Sequence, residues 1–171
     1  MVNFHYLVER EIPRLRRYAR ALTRSADRAD DLVQDTLVRA IAKAHLWQPG
    51  TDIRAWLFTI MHNQHVNLLR KQMRDEATVD VDQLSSSLVA TTDPTGARQL
   101  RELEKALGCL PEEQRAVILL VGLEGMSYET AAEVLGIPIG TVRSRLSRGR
   151  EALRGLMSVP EEGDQLKPLA A

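Results

Sequence analysis

Between Ala29 and Ile41 the apolar and small residues recur with the period of a helix: Ala29, Leu32, Val33, Thr36, Leu37, Ala40 and Ile41. Only a chain turning once in about 3.6 residues brings all seven to one face. That stripe predicts a helix over about Ala26 to Ala44, with Ser25 as its cap. Its neighbours share the period. Leu15, Tyr18, Ala19 and Leu22 mark a helix over Phe4 to Leu22, and Ile53, Trp56, Leu57 and Ile60 mark one from Ile53 to Arg70 or slightly beyond, capped by Asp52. Gln48-Pro49-Gly50 forces a loop before that third helix. Three such helices can bury one another in a small bundle.

The period lapses over 73–95, where Ser85-Ser86-Ser87 and Thr91-Thr92-Asp93-Pro94 read as a flexible linker. Leu84, Leu88 and Val89 offer it at most a transient docking point. Helical spacing resumes near Ala97 with Leu100, Leu103 and Leu107. Leu110-Pro111-Glu112-Glu113 is a helix start, with proline in the first turn and acids at the positive end of the dipole. Gly122 and Gly125 end that helix. Ser127 caps a short helix over Tyr128 to Leu135, Gly136 makes a turn, and Pro138 opens a last helix to about Met157. The expected fold is all-α: a helical bundle over 1–72, a linker over 73–96, a second helical domain over 97–157 and a tail over 158–171.

The formal net charge is zero, but the charge is segregated along the chain. Residues 1–74 hold 13 Lys/Arg against 7 Asp/Glu, residues 75–95 hold five acids and no base, and residues 141–154 hold five Arg against Glu151. Two basic lobes flank an acidic strip, a distribution that points to an anionic partner. Charges at Glu9, Arg10 and Glu11 interrupt the start, which is therefore not a secretory signal, and no apolar run reaches the ~18–20 residues that span a bilayer. Cys109 is the only cysteine, so an intrachain disulfide and a cysteine metal cluster are excluded. A cytoplasmic protein without cofactor, metal or membrane insertion is expected, and nothing in the sequence supports a catalytic constellation.

The basic C-terminal segment has the order of a helix-turn-helix: a capped short helix with Ala131-Ala132, a glycine turn, then a second helix. On a wheel of about 100° per residue, Val142, Leu146, Leu153 and Leu156 face inward. Arg143, Ser144, Ser147, Arg148 and Arg154 fall opposite them, with Arg145 and Arg150 on the flanks. Arginine donates bidentately to guanine or phosphate, and serine lets a backbone approach closely. The helix start at Pro138-Ile139-Gly140-Thr141 presents N–H groups suited to a phosphate. A solvated arginine face is the plain alternative, but the capped partner helix and turn favour DNA. One such module reads few base pairs, so a second contact is needed.

The N-terminal bundle offers that contact. Asp27, Asp31 and Asp35 repeat at i+4, which weakens an isolated helix and suits either a solvated face or a surface that meets a basic partner. Asn63 and Asn67 interrupt the third helix with side chains that can both donate and accept at base edges. The His45–Asp52 loop before it can hold an unpaired base, with Trp47 and Trp56 read as either core or stacking groups. His62 and His65 at i+3 are too few ligands for a metal.

Three segments, ADDLVQDTLVRA (29–40), IRAWLFTIMHNQHVN (53–67) and LPEEQRAVILLVGLEGMSYETAAEVLGIPIGTVRSRLSRGREAL (110–153), together resemble a bacterial RNA polymerase sigma factor of the extracytoplasmic function group. The resemblance extends over about residues 5–156. It implies a sigma region 2-like domain that binds the clamp helices of the polymerase largest subunit and opens the −10 element. It also implies a region 4-like domain that binds the β flap and reads the −35 element. By position, Asp31, Gln34, Asp35 and Arg39 match the core-binding helix. Asn63, with Gln48, Gly50 and Thr51 and next to Asn67, matches the −10 site. Thr141, Arg143, Ser144, Arg145, Ser147 and Arg148 fall in the −35 reading helix. The partners implied are core RNA polymerase, promoter DNA and an anti-sigma factor, and the output a stress or envelope-response regulon. Two rivals remain open: a stand-alone helix-turn-helix regulator, and a sigma-like decoy that titrates an anti-sigma factor.

Overall fold

The computed structural model describes residues 3–75 and 94–157, all of them helical or in turns between helices. The acidic strip over 76–93, with Leu84, Leu88 and Val89, lies outside the described residues, as does the tail from 158. Seven α-helices run in order: α1 (Phe4–Thr23), α2 (Ala26–Ala42), α3 (Ile53–Asp75), α4 (Pro94–Cys109), α5 (Glu112–Ile118), α6 (Tyr128–Leu135) and α7 (Ile139–Met157). A 3₁₀ turn over Ala44–Leu46 follows α2, and α5 widens into a π-helical turn over Leu119–Leu123.

Helix starts follow the capping chemistry. Asn3, Ser25 and Ser127 each accept an N–H from the first turn of α1, α2 and α6. Asp52 accepts from the N–H groups of Arg54 and Ala55. Gly136 closes α6 at φ +63°, and the Ile137 N–H reaches back to Ala132 O at 3.1 Å. Residues 73–75 and 94–96, read as linker, lie within α3 and α4. Pro94, as first residue of α4, explains the early start, because its fixed φ fits a first helical turn.

Helices α1, α2 and α3 pack on one another; α4, α5, α6 and α7 form the second bundle. The two bundles touch. Helix α3 lies against α6, and α1 lies against α5 and the π-helical turn. The buried residues form one cluster running through both bundles, from Leu15, Leu32 and Phe58 to Val117, Val134 and Leu146. The two domains are thus clamped together in this structure.

Two stripe residues point elsewhere than predicted. Ile41 is 53% exposed although it continues the α2 stripe. Leu156 is 49% exposed, beside a shallow groove along α4 lined by Glu102, Lys105, Ala106 and Cys109. At Gly149 the helices come close: a Cβ there would approach Ile118 Cδ1 to 2.5 Å, so the glycine lets α7 press on α5.

The most heavily bonded side chain is Arg115 of α5, which is buried. Its guanidinium donates to Leu107 O at 2.8 Å, Gly108 O at 3.1 Å and Leu110 O at 2.9 Å, carbonyls of the turn where α4 ends, of which Leu107 O also accepts the Leu110 N–H at 3.2 Å. It also donates to Leu22 O at the end of α1 (3.2 Å) and to Glu112 Oε1 (2.9 Å). Arg115→Met leaves these acceptors unmatched and is expected to lower stability by about 3 kcal/mol. Arg115→Lys is expected not to rescue it, since one ammonium cannot replace the planar fork. Urea unfolding midpoints of the full chain check both.

Candidate nucleic-acid and polymerase interface

The helix-turn-helix is formed by α6 and α7. Ala131 is fully buried where they cross, and Ile137 packs into the junction. Val142 and Leu146 hold α7 in the core. That orientation leaves Arg143, Ser147 and Arg148 exposed along the outer side of α7. Thr141 and Ser144 are half-buried, and the Ser144 hydroxyl donates to Thr141 O at 3.1 Å. The Thr141 N–H donates to Pro138 O at 2.9 Å, so the N–H groups left for an anion narrow to Ile139 and Gly140. Arg145 departs from its neighbours. It is half-buried and pairs with Glu113 of α5 at 3.3 Å, on the side of α7 turned towards His62.

On the first bundle, Asn63 and Asn67 are exposed on α3, one turn apart. Gln48, Gly50 and Thr51 are exposed in the loop before it. Thr51 bonds back to Gln48 O through both its N–H (3.2 Å) and its hydroxyl (2.7 Å), and Gly50 takes φ +91°, so the loop is a closed turn. The tryptophans belong to the scaffold. Trp47 is buried against Phe4 with ring centroids 5.7 Å apart, and Trp56 meets the same ring edge-on at 6.0 Å. Neither is placed to stack on a base.

Asp31, Gln34, Asp35 and Arg39 are all exposed on α2. Beside them the structure exposes large apolar groups: Val38 (67%) and Leu46 (61%), which the sequence stripe did not single out, and Ile41 (53%), which the stripe placed in the core. An acidic helix face continuous with an apolar patch is the mark of a protein-docking surface. Its signal in the sequence was weak, since Ile41 continues the core period and Val38 falls just off it.

A further set of charged groups lies between the bundles, and sequence reasoning missed it. The Glu124 carboxylate, 0% exposed, accepts from Arg17 of α1 (3.0 and 3.3 Å) and from Arg54 of α3 (3.4 Å). Arg54 also donates to the Glu124 backbone carbonyl. The Glu112 carboxylate bridges His65 of α3 at 3.1 Å and Arg115 at 2.9 Å. Burial pushes the Glu112 carboxyl up, but the hydrogen bond and charge of His65, with those of Arg115, outweigh it and hold the group below its ordinary value. Among the described residues no three His, Cys, Asp or Glu side chains gather to hold a metal ion, and no helix is long and apolar enough to cross a membrane.

This arrangement is that of a known family. A family profile described as the Sigma2 domain of PhyR matches residues 8–62, and one described as Sigma-70, region 4 matches residues 100–153. The ECF RNA polymerase sigma factor EcfG of Rhodopseudomonas palustris is 41% identical, over 86% of this chain and 81% of that protein. The sigma factor RpoE of Bartonella quintana, solved in complex with the anti-sigma factor NepR, superposes with a TM-score of 0.79 at 38% identity, over 92% of this chain and 98% of that one. The anti-anti-sigma factor PhyR of the same organism, also solved with NepR, shares the fold at 17% identity and a TM-score of 0.59, over 90% of this chain and 50% of that one. The chain belongs to the extracytoplasmic function group of the sigma-70 family, the promoter-specificity subunits of RNA polymerase. A subunit of this class selects where transcription starts and leaves the chemistry of RNA synthesis to the polymerase.

His62 sits on α3 near the pairs between the bundles. Burial, then the charges of His65 and Arg145, push its pKa down to about 4. The folded chain therefore keeps His62 neutral where the unfolded chain protonates it. This contribution is expected to raise stability with pH from about 4 to 6.5, and to be level above that. Thermal unfolding across that window should show a shallower slope for His62→Gln.

Proposed function

We propose that this sigma factor divides its work along its two bundles, region 2-like over 1–72 and region 4-like over 97–157. Arg143, Ser147 and Arg148 read the −35 element from the exposed side of α7, with Thr141 and Ser144 at its entrance. Arg145 contributes to the −35 contact only by giving up its pair with Glu113. Asn63 and Asn67, with Gln48, Gly50 and Thr51, receive the −10 element. Asp31, Gln34, Asp35 and Arg39, with Val38 and Ile41, dock on the clamp helices of core polymerase, and the second bundle meets the β flap.

The observation that carries this reading is the exposure of two different surfaces. One is the polar and cationic side of α7, the other the acidic and apolar side of α2. A stand-alone DNA-binding regulator has no use for the second. A decoy that only titrates an anti-sigma factor has no use for the first. The neutral total also fits a factor that binds DNA weakly until polymerase joins both readers to one promoter. An anti-sigma factor as regulator, and a stress or envelope-response regulon as output, follow from the same family reading.

Run-off transcription with core polymerase on a library of −35/−10 sequences tests the whole. Arg143→Ala with Arg148→Ala is expected to lose roughly tenfold or more of promoter-specific transcription, at about 1–3 kcal/mol per base contact, with core binding intact. Asp35→Arg is expected to do the reverse: weaker competition for core polymerase against another sigma factor. Full transcription from the double arginine variant would remove α7 from the reading.

A further inference from the structure

Neither the proposed −35 reader nor the proposed −10 reader accounts for the outer face of α1. On a helix of about 100° per residue, Tyr6, Arg10, Arg14 and Arg17 fall within about 80° of one another. All four are exposed. The two acids of α1, Glu9 and Glu11, lie off this stripe. Arg17 is taken by Glu124 at 3.0 Å, but Arg10 and Arg14 pair with no acid among the described residues. Two like charges one turn apart weaken a helix, so local stability does not explain them.

Tyr6 adds a second kind of group to the same face. Its ring is 56% exposed, and the Arg10 guanidinium lies 5.8 Å from the ring centroid. Tyr18 of the same helix behaves otherwise: it is buried edge-on against Phe58 at 5.1 Å and serves the core. An aromatic face left in water beside unpaired cations suits a single nucleic-acid strand. A base stacks on the ring while guanidinium groups take the phosphates.

The position of the stripe says which strand. Phe4 turns inwards and packs on Trp47 and Trp56, with ring centroids 5.7 and 6.0 Å away. Trp47 directly precedes the Gln48–Thr51 loop, so the start of α1 is anchored beside the loop assigned to the −10 element. From that end Tyr6, Arg10 and Arg14 follow one another outwards at steps of about 6 Å. Opening the −10 element leaves a single strand on the start-site side, because the −35 side stays duplex. A strand leaving the loop in that direction meets a ring and then two cations. This continuity with the loop favours DNA over an acidic protein surface as the occupant.

We propose that Tyr6, Arg10 and Arg14 form a track on α1 for the single-stranded promoter DNA on the start-site side of the −10 element, Tyr6 stacking on a base and the two arginines holding phosphates. Which strand it holds rests on the assignment of the Gln48–Thr51 loop to the −10 element; that it binds a single strand does not.

The test uses the full chain with core polymerase and a labelled forked promoter from the run-off library, its non-template strand single from the −10 element to the start site. Binding is read by fluorescence anisotropy. Tyr6→Ala is expected to weaken it about tenfold, whereas Tyr6→Phe keeps the ring and should match the parent. Arg10→Gln with Arg14→Gln is expected to lower the slope of log affinity against log salt by about 1.4, for two single-strand phosphates at about 0.7 each. All three positions are exposed, so melting transitions should stay within a degree or two of the parent's. On a fork whose single strand ends with the −10 element, every variant should bind like the parent. Parent affinity in Tyr6→Ala together with an unchanged salt slope overturns the track. Equal losses on both forks overturn its place beyond the −10 element. Weaker competition of the variants for core polymerase without DNA puts a protein on this face and overturns the DNA assignment. If the parent chain directs no transcription on any template, the sigma reading fails, and binding of the free chain to a labelled oligothymidine strand decides the track. Weaker binding by Tyr6→Ala and by the double arginine variant then upholds it, and equal binding overturns it.

Discussion

A buried guanidinium is expensive to desolvate, and Arg115 is tolerated only because carbonyls from two helix ends and a carboxylate surround it. Carbonyls at a helix end have fewer internal partners than those along its length. One side chain therefore solves the termination of α4 and fixes the start of α5 beside it. By reaching Leu22 O it also ties the end of α1 to the second bundle. The placement of α5 sets that of α7 through the close approach at Gly149, and with it the direction in which Arg143 and Arg148 face. The surface proposed to read DNA thus depends on a residue buried away from it.

The same chain of dependence explains why charge is used differently in different places. On α7, arginines without a protein partner remain exposed, ready to exchange solvent and counterions for phosphate. Between the bundles, arginines are paired with carboxylates and partly withdrawn from water. Arg145 stands between the two regimes, paired with Glu113 yet on α7. A zero net charge results from the sum of these roles and predicts none of them.

The helices were legible because their stripes repeat over three or more turns and their caps are local chemistry. Ser25, Asp52, Ser127 and Gly136 do what their residue types favour anywhere. The outward set on α7 was legible for the same reason, since burying Val142 and Leu146 fixes what lies opposite. The contacts between the bundles were not. Arg17, Arg54, Glu112, Glu124 and His65 are scattered over more than 100 positions and carry no period. Glu124 reads as a loop residue before a glycine, and only the π-helical turn shows why it is buried. Val38 and Ile41 illustrate the converse failure. An apolar residue on a helix is expected in the core, and only its exposure among the described residues marks the face proposed for docking.

Two bundles that pack on each other face a constraint on how the seam between them may be built. An apolar seam strong enough to be specific would be too strong to part, because each buried leucine adds about 1.5–3 kcal/mol without regard to geometry. Charged pairs escape the dilemma. Their attraction and their desolvation cost nearly cancel, so they define one geometry while contributing little net stability. The seam here combines both kinds, with apolar contact where α3 meets α6 and charge where α1 and α3 meet Glu124 and Glu112. Its balance can therefore be tipped by a partner that binds either bundle better when the two are apart. The exposed side of α2 and the exposed arginine side of α7 both lie outside that seam.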